Sequence, residues 1–212
     1  MRKWGVVVTT VYALVLAGLI VPIGLVLSDS RVLDGYKEGA TWAYIAILVA
    51  CQAILLFVSV DTSQRPRSRS SIVFSVVVTG ILFSTLAVSA VLCLVVAIKP
   101  AHDTFLDRML IPMLWTAGVG AWTIPFYLLW RNSNTMVARA TSWLIKGSVL
   151  ELLIAVPSHV IVRRRNDCSA PLATGFGICS GIAIMLLAFG PSVLLLYKKR
   201  IDEYASRKAA GK

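Results

Sequence analysis

The chain has 212 residues, 58% of them hydrophobic and only 15% charged, with a mean hydropathy of +0.80. Soluble domains carry about 25% charged residues, so this composition excludes an ordinary water-soluble globule and places the chain among polytopic membrane proteins. The net charge of +11 does not point to nucleic acid, because the basic residues fall between apolar runs rather than along one face.

A helix crossing the hydrocarbon core needs about 20 apolar residues, and six segments meet that length: 5–27, 41–60, 71–98, 108–130, 141–162 and 172–197. The first follows "MRK" and carries Pro22. Its apolar run is longer than a signal-peptide core of about 7–15 residues, and no A-x-A-like site precedes "SDSR", so it reads as a retained helix. The second holds Cys51 and Gln52, the clearest polar side chain at its centre. The third contains Cys93, and the fourth Gly118, Gly120 and Pro125. Three segments precede the 99–107 loop and three follow it, which permits an inverted repeat, with Pro22 and Pro125 at matching positions.

The fifth segment is the unusual one. It reads "WLIKGSVLELLIAVPSHVIVRRRNDC" from Trp143 to Cys168, and Glu151, near its middle, is the one acid in any of the six segments. A charged group at the centre of a bilayer costs about 2.5–3.5 kcal/mol on insertion scales, so such residues face a bundle or a wet cavity. Helical spacing puts Gly147, Ser148, Ala155 and Ser158 near the face of Glu151, a small and polar stripe. Lys146 stands five residues before Glu151, off the i, i+4 spacing of a good helical pair, and is expected to snorkel to the interface. Pro157 frees the carbonyl of Leu153, one turn back. The sixth segment opens "LATGFGICSG", in which Gly177 and Gly181 form a GxxxG suited to close helix packing, as Gly118 and Gly120 are in the fourth.

Orientation follows from the Lys and Arg count on alternate sides. Arg2, Lys3, Arg65, Arg67, Arg69, Arg131, Arg139 and the basic tail from Lys198 to Lys212 share one side. Fewer basic residues lie on the other: Arg31, Lys37, Lys99, Arg108 and the run Arg163, Arg164, Arg165. Both termini are therefore expected in the cytoplasm. The outer "RRR" is a candidate site for anionic lipid, an anionic ligand or an acidic partner. His102, His159, Asp167 and Cys168 also fall outside and are of metal-ligand type, but none has a ligand-like spacing such as HxxxH or CxxC. A haem held by the two histidines finds no other support, and no cofactor is assigned.

The expected fold is all-α: an integral membrane bundle of six transmembrane helices with short loops, forming one domain over 1–212. No HExxH, GxSxG, paired-carboxylate motif or P-loop is present, so no enzymatic activity is assigned. Two functions stay open. One is a small channel or secondary transporter, oligomeric, with Glu151, Ser148, Ser158, Gln52 and Lys146 lining or gating the path. The other is an accessory subunit of a larger membrane complex, docking through its glycine faces and the arginine loop. The expected partners are the lipid bilayer with further copies or other membrane subunits, not nucleic acid, and the expected location is a bacterial cytoplasmic (inner) membrane.

Overall fold

The computed structural model describes residues 2–27, 39–61, 69–98, 110–130, 136–165 and 170–210, and these are helical throughout apart from a turn at Arg165. The helices are α1 (Arg2–Leu27), α2 (Gly39–Asp61), α3 (Arg69–Ile98), α4 (Leu110–Trp130), α5 (Met136–Arg164) and α6 (Ala170–Ala210). Each coincides with one of the six apolar segments. Three stretches are long and apolar enough to cross a membrane: Ile72–Ile98 in α3, Val137–Arg164 in α5 and Ala173–Ser192 in α6. Shorter apolar stretches, Val6–Gly18 and Trp42–Leu56, are described in α1 and α2. In α4, two prolines, two glycines and two threonines dilute the aliphatic content.

Many of these residues are β-branched, as in "SIVFSVVVTGILF" of α3, and in water such a run favours strands. In lipid the backbone must satisfy its own hydrogen bonds, and a helix does so within one segment. The side chains are arranged accordingly. Leu153, Leu129 and Met113 are more than two-thirds exposed, while Gln52, Ser84, Ser148 and Glu151 are buried. The interior is mainly apolar but admits these polar groups, and an outer surface so rich in large apolar side chains suits a bundle that meets lipid.

The three long apolar helices share one packing pattern. On α5 the buried positions Val137, Thr141, Leu144, Ser148, Glu151, Ala155, Ser158 and Val162 alternate in steps of four and three. On α3 the same alternation joins Ser75, Thr79, Leu82, Leu86, Ser89, Cys93 and Val96. On α6 it joins Thr174, Gly177, Gly181, Ile184, Ala188 and Pro191, all buried. A 3.5-residue repeat of this kind gives the shallow left-handed crossing of helix bundles. Of all helix pairs, α5 and α6 share the most extensive contact, and α3 packs on both.

Around this trio, α4 lies on α3 while α1 and α2 lie on α6. The α3–α4 contact is close because Gly80 faces Thr123 and Gly118 faces Ser84 without an intervening side chain. Ser84 Oγ donates to the Trp115 carbonyl at 2.8 Å, and Trp115 Nε1 donates to Thr85 Oγ1 at 3.0 Å. Phe83, Trp122, Phe126 and Trp143 form an aromatic cluster joining α3, α4 and α5, with the Phe83–Trp122 centroids 4.5 Å apart.

One boundary differs from the sequence expectation. The apolar run of the sixth segment ends at residue 197, yet α6 continues to Ala210. Its 41 residues rise about 60 Å, twice the hydrocarbon thickness. The tail "KKRIDEYASRKAA" has no Gly or Pro and is rich in Lys, Arg, Glu and Ala, which favours continued helix after hydrophobicity stops.

Candidate functional site around Glu151

Glu151 is 2% exposed and lies where α5 meets both α3 and α6. Its place in the four-three alternation of α5 fixes that direction, since any residue on the seam points at the neighbouring helices. One carboxyl oxygen, Oε1, accepts a hydrogen bond from Ser89 Oγ of α3 at 2.7 Å. The other, Oε2, is buried and has no hydrogen-bond partner among the described residues.

Room for the carboxyl comes from α6. A β-carbon on Gly181 would fall onto Glu151 Oε2 and within 2.9 Å of Leu152 Cγ. One on Gly177 would lie 2.5 Å from Cys93 Sγ, 3.0 Å from Ser89 Oγ and 3.1 Å from Glu151 Oε1. At Gly177 and Gly181 the space that side chains would take is occupied by the Glu151–Ser89–Cys93 group rather than by bare backbone. Gly147 on α5 does a similar service for Phe83, whose ring comes within 3.1 Å of its β-carbon position. By contrast, no described residue comes within 4 Å of the β-carbon position of Gly120.

The other candidates divide by position. Ser148 is fully buried on the seam and donates to the Leu144 carbonyl at 2.9 Å, an in-helix bond that satisfies the hydroxyl locally. Ser158 is buried two turns along from Glu151, toward His159. His159 is half-buried and its Nδ1 lies 2.8 Å from Thr174 Oγ1 of α6. Glu151–Gly181 and His159–Thr174 thus mark two levels of one antiparallel seam, separated by the small residues Ala155 and Gly177.

Gln52 is 1% exposed, and its Oε1 has no hydrogen-bond partner among the described residues. Its Nε2 lies 3.3 Å from the β-carbon position of Gly190. Gly190 is nine residues past Gly181, about 13 Å along α6, so Gln52 stands at another level from Glu151. Lys146 is exposed and some 140° around α5 from Glu151, so the helix does not bring the two together. Arg163, Arg164 and Arg165 are all exposed at the end of α5. His102, Asp167 and Cys168 lie outside the described residues, and among those described no group of three or more His, Cys, Asp or Glu is placed to hold a metal ion.

Sequence reasoning missed several partners. Ser89 and Cys93 reach Glu151 from α3, and Tyr44 of α2 donates to Ser180 Oγ beside Gly181 at 2.9 Å. Tyr12 of α1 donates to the Ala183 carbonyl at 3.1 Å. The four-three alternation of small and polar residues along α3 was the signal that marks Ser89 and Cys93 as seam positions. Comparison of the chain with known protein families, with characterised proteins and with solved structures finds no match.

Proposed function

We propose that the protein is a small channel or secondary transporter in which Glu151 binds and releases the transported ion. The observation that carries this reading is the unpartnered oxygen Oε2 of Glu151, enclosed among three helices long enough to span a bilayer. Buried polar atoms in folded proteins are nearly always paired, and an intramembrane acid marks an ion or proton pathway more often than a packing site. The wider arrangement we infer is six spans in one domain, both termini cytoplasmic, self-associating in a bacterial inner membrane. The Lys and Arg distribution supports the orientation.

Glu151→Gln tests it. The amide keeps the shape and can still accept from Ser89, but it cannot take up or release a proton or balance a cation. In liposomes with an imposed gradient of protons, Na⁺ or K⁺, the expected result is flux through the wild type and loss of flux in a variant that unfolds at the same temperature. Undiminished flux through folded Glu151→Gln overturns the reading. The accessory-subunit alternative draws on the three arginines exposed together at the end of α5, a surface an acidic partner would fit. A chain that purifies alone as a stable species and carries flux leaves that alternative without support.

A further inference from the structure

The face of α5 turned away from the seam carries a pattern that an ion site at Glu151 does not use. At about 100° per residue, Lys146, Leu153, Val160 and Arg164 fall within about 40° of one another around the helix. Leu150 and Val156 flank them, and all six side chains are exposed. The buried Val162, packed with Val96 of α3 and Ala173 of α6, points about 200° away from Arg164. The stripe is therefore an outer surface of the bundle, apolar along its length and cationic at both ends.

Its length sets its depth. From Lys146 to Arg164 is 18 residues, about 27 Å of helix, close to the thickness of the hydrocarbon core at about 30 Å. Trp143, half exposed one turn before Lys146, is the residue type that marks a membrane–water interface. With the stripe in hydrocarbon, Arg164 stands at the level of lipid headgroups. Arg165 is fixed beside it, because its N–H donates to the Val162 carbonyl at 3.1 Å in the turn that ends α5. Within α5 the nearest acid is Glu151, 13 residues and about 20 Å back and on the seam side. Arg163 is engaged within the protein, so the charge available to a ligand is that of Arg164 and Arg165.

We propose that Arg164 and Arg165 hold the phosphate of an anionic phospholipid whose acyl chains lie along Val160, Val156 and Leu153. Charge selects an anion, and the planar donors of arginine match phosphate oxygens in pairs. The apolar stripe directly beneath selects an anion that carries hydrocarbon. A free phosphate or an acidic protein loop answers the arginines alone and leaves the stripe without a role in the binding.

The test uses the full chain in phosphatidylcholine vesicles and compares the association of chain-labelled phosphatidylglycerol and phosphatidylcholine by spin-label spectroscopy. It needs no transport, so it stands apart from the fate of the reading at Glu151. The wild type should favour phosphatidylglycerol, with about fivefold contributed by each arginine. Arg164→Gln should remove about fivefold, and Arg164→Gln combined with Arg165→Gln should abolish the preference. Arg164→Lys keeps the charge and should keep most of it. Arg200→Gln, exposed on α6 beyond its apolar run, should leave the preference intact. No preference in the wild type, or an unchanged one in the folded double variant, overturns the proposal and leaves the arginines to an acidic partner. An equal loss in Arg200→Gln overturns it by reducing the effect to general charge. Displacement of the labelled lipid by millimolar inorganic phosphate overturns it as well, since the stripe would then add nothing.

Discussion

Gly181→Ala is the sharpest probe of how the site is built. The added methyl falls where Glu151 Oε2 stands, with Leu152 at 2.9 Å blocking the alternative. Overpacking of this kind costs about 1–3 kcal/mol. If the carboxyl moves aside instead, the bond from Ser89 is lost, about 0.5–1.5 kcal/mol for neutral partners. Alanine's better helix propensity returns up to about 1 kcal/mol. The expected net effect is destabilisation by up to about 2 kcal/mol once the propensity gain is subtracted, read by tryptophan fluorescence during reversible unfolding in mixed micelles. Gly120→Ala is the matched control, because no described residue lies within 4 Å of its β-carbon position and only the propensity gain remains. A double-mutant cycle with Glu151→Ala isolates the contact, and the coupling should be at least about 1 kcal/mol. If Gly181→Ala proves as stable as Gly120→Ala, or if the two site mutations add, the carboxyl does not occupy the glycine notch.

Ser89→Ala leaves both oxygens of Glu151 without the α3 donor and should destabilise by about 1–3 kcal/mol in the same assay; an unchanged transition would mean that the bond contributes nothing. Gly118→Ala drives a methyl onto Ser84 Oγ and should destabilise, whereas the Gly118→Ala, Ser84→Ala double variant should recover much of the loss; no recovery would place the strain elsewhere. Cys168 should react with an impermeant maleimide in intact cells while Cys51, 5% exposed, does not, and equal labelling would mean that α2 is not enclosed in a bundle. Reporters fused after residue 212 and within 99–107 should land in the cytoplasm and outside respectively, and an external C-terminus would reverse the orientation.

The helices were legible because a bilayer-length apolar run has few other ways to satisfy its backbone, and six such runs became six helices. The small and polar face of α5 was legible too, since 3.6-residue periodicity alone sets Ser148, Ala155 and Ser158 beside Glu151. Which residue would meet the carboxyl was not. Ser75, Ser84 and Ser89 look alike in α3, but only the rotation of α3 against α5 and α6 selects Ser89, while Ser84 turns to α4. The tyrosine contacts are hidden in the sequence for a related reason. Tyr12 and Tyr44 read as ordinary span residues until α1 and α2 are laid on α6, where both hydroxyls find partners. The end of α6 escaped because hydropathy reports where lipid ends, not where helix ends.

Magnitudes bear on whether Glu151 is there for stability. A side-chain hydrogen bond between helices in a membrane contributes on average about 0.6 kcal/mol. That is the benefit of the bond from Ser89. Against it stands the buried, unpartnered Oε2, which costs about 1–3 kcal/mol. Seating the carboxyl also requires glycine at 177 and 181, each about 0.8–1.0 kcal/mol poorer than alanine as a helix former in water. The balance is unfavourable: an alanine at 151 with alanines at 177 and 181 would continue the four-three seam at lower cost. Glutamine would serve a purely bridging role as well as glutamate, since its amide oxygen also accepts from Ser89 and its shape also fills the notch. What glutamate alone adds is a group that titrates. On the proposed transport reading, the arrangement gives up stability to keep a titratable oxygen at the meeting point of α3, α5 and α6, which a site for loading and unloading an ion needs and a packing contact does not.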